Sequence, residues 1–149
     1  MKISESKIKF DENKVKSSYI ASCTYDVQCI KPGNVNYLSG HRDTVNDDFI
    51  KSFEVTSNII SLPNLSLGQR IYKCVESTKE AIDNNTNLGI ILLCSVFIQS
   101  LLENEKHSIS EAIKAVIMNA SHQDVTDMCS AISLADPGGL GSHESYDVR

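Results

Sequence analysis

Val15, Tyr19, Cys23, Val27 and Ile30 recur at intervals of four or three, which draws one apolar stripe down a helix of about five turns. Lys31-Pro32-Gly33 ends it, because Pro32 pushes Lys31 out of the helical region and Gly33 admits backbone that a Cβ would forbid. Nothing between Asn34 and Asp43 is periodic, so a long loop is expected there. Thr44 with Asp47 matches a capping box, and Phe49, Phe53, Thr56 and Ile60 continue with helical spacing until Pro63. Ser66 with Gln69 opens a third helix along Leu67, Ile71, Cys74, Val75, Thr78 and Ile82, ending in Asp83-Asn84-Asn85.

Residues 88–102 form the most hydrophobic stretch, interrupted by Ser95, Gln99 and Ser100. It is short of the roughly 20 apolar residues that cross a bilayer, so it reads as a helix buried on all sides and not as a membrane span. Ser108 with Glu111 starts a fifth helix carrying Ile109, Ile113, Val116 and Ile117, and Ser121 with Asp124 a sixth carrying Val125, Met128 and Ile132. About six helices without two-residue alternation predict an all-α bundle with no sheet, as a single domain over residues 1–149. Residues 1–10 have no clear period and are expected to be frayed. No internal repeat or low-complexity linker divides the chain.

Composition narrows the function. Tryptophan is absent and aromatics make up 6%, so the core is expected to be aliphatic. A net charge of −5, from 14 basic and 19 acidic residues, leaves no electrostatic footprint for a nucleic-acid partner. Cys23, Cys29, Cys74, Cys94 and Cys129 are odd in number, lack C-x-x-C spacing and sit in apolar-periodic segments, so they read as reduced core thiols. The polar, Lys-rich start shows no signal peptide, which makes the cytoplasm the expected location.

Candidate chemistry lies in three loops at helix ends, which long helices could bring to one end of a bundle. In the first, Lys31 and Arg42 carry positive charge, His41 titrates near neutrality and Asp43 offers a carboxylate for a metal or a hydroxyl. In the second, Asn84-Asn85-Thr86-Asn87 precedes the apolar helix, so unpaired N–H groups and the positive dipole end face whatever sits there. An anion fits that position; equally, Thr86 or Asn87 is simply an N-cap. In the third, Gly138-Gly139-Leu140-Gly141 allows close backbone approach to a phosphate, or is a helix C-terminus with left-handed glycines. It lacks the lysine and hydroxyl of a P-loop. Asp147 is a metal ligand or a solvated carboxylate. A Ser-His-Asp hydrolase has no G-x-S-x-G context here.

Taken together, Lys31-Pro32-Gly33-Asn34-Val35 with His41-Arg42-Asp43, Asn85-Thr86-Asn87-Leu88-Gly89, and Pro137-Gly138-Gly139-Leu140-Gly141 with Asp147-Val148 resemble the triphosphoribosyl-dephospho-coenzyme A synthase family. Their wording is similar to its archaeal and methylotroph branch. The resemblance covers nearly the whole chain. It implies an all-α, magnesium-dependent transferase that uses ATP and 3′-dephospho-coenzyme A, releases adenine and makes a prosthetic-group precursor. By matching motif, it assigns phosphate or nucleotide binding to Lys31, Gly33, Asn34, Arg42, Asn85, Thr86, Asn87, Gly89, Gly138, Gly139 and Gly141. Acid–base chemistry falls to His41 and Asp43, and magnesium to Asp43 and Asp147. Family members continue beyond the glycine loop, so this chain is expected to be the N-terminal half of a longer domain, completed by a second copy or by a C-terminal partner. Two alternatives stay open: pentosyl or phosphoribosyl transfer in another cofactor pathway such as pterin synthesis, and a non-catalytic helical module that binds a nucleotide or pairs with a subunit.

Overall fold

A computed structural model describes residues 11–30, 43–82, 84–103, 108–138, 141, 147 and 148, with residues 43–46 by backbone alone. Among the described residues there are six α-helices and no strand: α1 Glu12–Gln28, α2 Asp43–Ile60, α3 Leu67–Ala81, α4 Leu88–Glu103, α5 Ile109–Met118 and α6 His122–Ala135. No described helix is long and apolar enough to cross a membrane.

Local chemistry starts most of these helices where the sequence predicts. The Asp11 carboxylate accepts from Lys14 N–H at 2.8 Å and opens α1. Ser66 with Gln69 and Ser121 with Asp124 both form complete capping boxes, and Ser108 Oγ accepts from Glu111 N–H. α2 begins at Asp43, one residue before the expected cap Thr44, whose side chain lies outside the description.

The stripe of α1 is correct through Val15, Tyr19, Cys23 and Val27, all buried. It stops there, because Cys29 is extended and Ile30 is 69% exposed. α2 lies antiparallel to α1, joined by a 3.0 Å bond between Tyr19 Oη and Thr56 Oγ1 and by Lys16 Nζ donating to Asn58 Oδ1. After a short turn at Pro63, α3 runs back along α2 and becomes the central helix, packed against α2, α4 and α6.

α3 and α6 approach most closely. The buried residues of α6 are Ala131 and Ala135, and Gly68 of α3 sits against the Asp124 backbone, where an added Cβ would meet Asp124 Cα at 2.5 Å. Small side chains therefore set this spacing. Val125, expected on the inward stripe, is exposed, while Met128 and Ile132 are half-buried against the core.

α4 departs from expectation. Leu93 is 75% and Phe97 45% exposed, so the helix is covered mainly by α3 and α5, with lighter contacts to α1 and α2, and not all round. α5 rests on α4 and buries Val116, leaving Ile117 exposed. The cysteines are reduced, but they divide. Cys23 and Cys74 are buried, and burial pushes both thiols up to about 12; Cys94 and Cys129 are half-buried, and Cys29 is exposed at the end of α1.

A buried arginine ties three helices together. Arg70 of α3 donates through Nε to Gln99 Oε1 on α4 at 2.9 Å, and through its terminal nitrogens to the Ile60 and Leu65 carbonyls at 2.5 and 3.3 Å. Burial draws its pKa down, while Cys74 and Glu103 draw it up and the three oxygens it meets favour the charged form.

Candidate functional site

The direction of the helices collects the candidate loops. α1 and α3 each run antiparallel to α2, so the C-terminal ends of α1 and α3 share one end of the bundle with the start of α2. Lys51 of α2 donates to the Ala81 carbonyl at 2.9 Å, which fixes that register. Asp43 lies eight residues before Lys51, so the start of α2 projects about 12 Å past the end of α3. α6 is parallel to α3, with Asp124 beside Gly68 at one end and Ala135 beside Thr78 at the other. α4 starts at the same end as α3 finishes. The helix ends that flank all three candidate loops are thus on one side.

The second of these loops borders a recess of about 230 Å³, open to solvent and lined by Val75, Thr78, Lys79, Asn84, Asn85, Asn87, Leu88 and Ala135, the last residue of α6. Its enclosed part has room for a single water-sized group. The chemistry of the recess follows from how α4 begins. Ile91 N–H bonds to the Asn87 carbonyl at 2.9 Å, so Asn87 is the residue at which the helix starts. Its side chain does not cap its own helix. Instead the Thr78 hydroxyl, which also bonds the Cys74 carbonyl, donates to Asn87 Oδ1 at 3.2 Å. Asn85 does the local capping, its Oδ1 accepting from Leu88 N–H at 3.2 Å.

This arrangement leaves donors over. Asn87 is 3% exposed and its Nδ2 has no hydrogen-bond partner; Thr86 Oγ1, also buried, has none either. Gly89 and Ile90 N–H, in the first turn of α4, meet no acceptor among the described residues. Gly89 is exposed, and nothing crowds the place where a Cβ would stand. An unmade hydrogen bond on a buried group costs about 1–3 kcal/mol, so a polar group from outside is stabilised here.

The third loop begins at the recess and then leaves it. Ala135 lines it, and Asp136, not a glycine, takes the left-handed turn that ends α6, at φ 44°. Gly138 is exposed and Gly141 adopts φ 61°. Gly139 lies outside the described residues. Asp147 is brought elsewhere: with Val148, whose carbonyl accepts from Ser133 Oγ at 3.3 Å, it lies over a shallow face formed by Val125, Thr126, Cys129 and Ser130 of α6. That face and the recess share no residue.

Lys31, Gly33, Asn34, His41 and Arg42 also lie outside the described residues, and Asp43 is described as the first helical residue of α2. Among the described residues no three metal-ligating side chains converge. Sequence reasoning passed over two members of the recess. Thr78 reads as part of the α3 stripe, and Lys79 is not singled out by any pattern. The available signal was Lys79 in the last turn of α3, three residues before its C-cap Ile82, with the Asn-rich loop immediately after.

A family model described as ATP:dephospho-CoA triphosphoribosyl transferase matches residues 12–149. No similar curated protein and no similar solved structure was found.

Proposed function

Because the chain belongs to the ATP:dephospho-CoA triphosphoribosyl transferase family, we propose that it uses the loop end of the bundle to hold ATP while the 2′-hydroxyl of 3′-dephospho-coenzyme A displaces adenine. The supporting observation is the recess at the start of α4, where buried and backbone donors without protein acceptors collect beside a lysine. Such a place suits phosphate oxygens. The flanking ends of α1, α2 and α6 at the same side of the molecule support a single site built from all three loops.

In this reaction the bond from ribose C1′ to the adenine nitrogen breaks, and a bond from C1′ to the incoming 2′-oxygen forms. The proton of that hydroxyl passes to a base, and adenine leaves after taking up a proton. We assign the base to His41, and stabilisation of the positive charge that grows on the sugar to Asp43, two residues on and at the start of α2. Lys31 and Arg42 are assigned to the triphosphate with Asn85, Asn87 and Gly89. Asp147, over the outer face of α6, is less well placed for the sugar than Asp43.

Magnesium chemistry suits this arrangement without a protein cage. The ion keeps several waters and takes one or two carboxylates plus substrate phosphates, and the absence of a three-ligand cluster among the described residues is consistent with that habit. Asp43 is the carboxylate assigned to it; when bound, the ion neutralises phosphate charge. The cytoplasm, where ATP is supplied, is the proposed location. Incubation of the protein with ATP, magnesium and dephospho-coenzyme A should release adenine in step with a higher-mass coenzyme product, followed by chromatography and mass spectrometry. Adenine release that does not depend on dephospho-coenzyme A would refute the assignment of the acceptor, and no release at all would refute the reading.

A further inference from the structure

We infer that Lys79 and Asn87 together seat one oxygen of a terminal phosphoryl group in the recess, with Lys79 supplying the charge that makes the seat selective for an anion. The identity of the nucleotide rests on the proposed transferase reading; the anion seat itself does not.

Three independent features converge on it. First, the Thr78 hydroxyl engages Oδ1 of Asn87, which leaves Nδ2 as the open end of a side chain that is 3% exposed and lines the recess. Second, Gly89 and Ile90 present N–H groups in the first turn of a helix of 16 residues, whose positive dipole end adds to theirs. Third, Lys79 lines the same recess from α3. The enclosed space takes only a water-sized group. A bridging phosphate, with a neighbour on each side, cannot enter it, whereas one oxygen of a terminal phosphoryl group can while the rest stays at the open mouth.

A lysine is needed because of where the recess lies. The C-terminal ends of α3 and α6 border it, and each brings a partial negative charge that offsets the positive end of α4. Without a formal cation the two negative ends would outweigh the one positive end, and the local field would repel an anion.

The test is a calorimetric titration with inorganic pyrophosphate and, separately, inorganic phosphate, on the wild type and three variants, each checked for an unchanged thermal transition. Both anions should bind the wild type. Lys79→Gln should weaken pyrophosphate binding at least about tenfold, the loss of one charged hydrogen bond, while Lys79→Arg should stay within about threefold of wild type. Asn87→Asp, which keeps the shape but puts an oxygen where Nδ2 stands, should abolish binding. Equal affinity in Lys79→Gln would show that Lys79 serves only to offset the dipole of α3, and would overturn the inference. No anion binding by the wild type, or unimpaired binding by Asn87→Asp, would overturn it as well. Anion binding that tracks Lys79 in a protein releasing no adenine would keep the seat and sink the transferase reading; adenine release untouched by Lys79→Gln would do the reverse.

Discussion

Removing the carboxylate of Asp124 should cost more than removing an ordinary helix cap, because it serves two helices at once. Its Oδ2 accepts from Ser121 N–H and Oγ at 2.8 and 2.7 Å, closing the capping box of α6. Its Oδ1 accepts from Gly68 N–H at 2.8 Å and Ser66 Oγ at 2.6 Å, which caps the start of α3 across 56 residues of chain. A cap is worth about 0.5–2 kcal/mol, so Asp124→Ala, which removes two, should destabilise by about 1–4 kcal/mol and lower Tm by roughly 3–15 °C. The effect should depend on pH. Partial burial pushes the Asp124 pKa up, but the donors from Ser66, Ser121 and Gly68 outweigh it and hold the carboxyl well below the usual carboxylate range. A depressed pKa stabilises the fold above the unfolded value of about 4, and that contribution fades as pH falls through the native value. Thermal unfolding of wild type and Asp124→Ala from pH 7 to pH 2 should therefore show a constant gap above about pH 5 that narrows in acid. A gap under 2 °C at pH 7, or one that widens in acid, would refute the double-cap account.

Gly68→Ala should separate α3 from α6, since its Cβ would stand 2.5 Å from the Asp124 backbone; a loss of about 1–3 kcal/mol in urea unfolding is expected, and an unchanged midpoint would show that the helices can slide apart freely. Arg70→Ala should cost about 3–5 kcal/mol, because Gln99 Oε1 and the Ile60 carbonyl lose their donor together and the Leu65 carbonyl keeps only Gln99 Nε2, whereas Arg70→Met should cost visibly less; equal losses in chemical denaturation would contradict this. Asp43→Ala should abolish adenine release while leaving Tm within about 2 °C of wild type, since alanine is a strong helix former at the first position of α2; retained turnover would remove Asp43 from the chemistry.

What the sequence disclosed divides along the range of the interactions. The boxes Ser66–Gln69 and Ser121–Asp124 are local, three residues apart, so they can be read from the chain alone. The second duty of Asp124 is not local and leaves no pattern. The same holds for Asn87, whose side chain turns to Thr78 on another helix while Asn85 takes the cap that adjacency would give to Asn87 or Thr86. α4 misled for a different reason: a helix that is apolar all round carries no polar stripe to say which side faces water, so exposed Leu93 and Phe97 are indistinguishable in sequence from buried Ile91 and Ile98. That the end of α6 meets the second loop at one recess could not be read from the chain, because it is the parallel run of α3 and α6 that brings Ala135 to Thr78.

The electrostatics of the loop end also explain why cations are gathered there by a chain whose net charge is −5. Three helices, α1, α3 and α6, finish at that end and two, α2 and α4, begin there, so the helix dipoles taken alone leave about half an elementary negative charge in excess. A polyanionic substrate approaching it would be repelled by the fold itself. Lys51 answers part of this directly by donating to the Ala81 carbonyl at the end of α3, and Lys79 lies one turn before that end. Lys31 and Arg42 stand in sequence between the C-terminal end of α1 and the start of α2. Each formal charge is about twice a helix-end partial charge, so these cations work to reverse the sign of the field against the carboxylates that share this end, Glu80 in the last turn of α3, Asp136 after α6, and Asp43, Asp47 and Asp48 at the start of α2. Affinity for pyrophosphate should accordingly fall steeply with added salt, because the reversal depends on a few exposed charges that screening removes over about 10 Å at 0.1 M ionic strength. An affinity indifferent to salt between 0.05 and about 0.3 M would show that the backbone and Asn87 donors hold the anion unaided, and that the lysines only repair the fold.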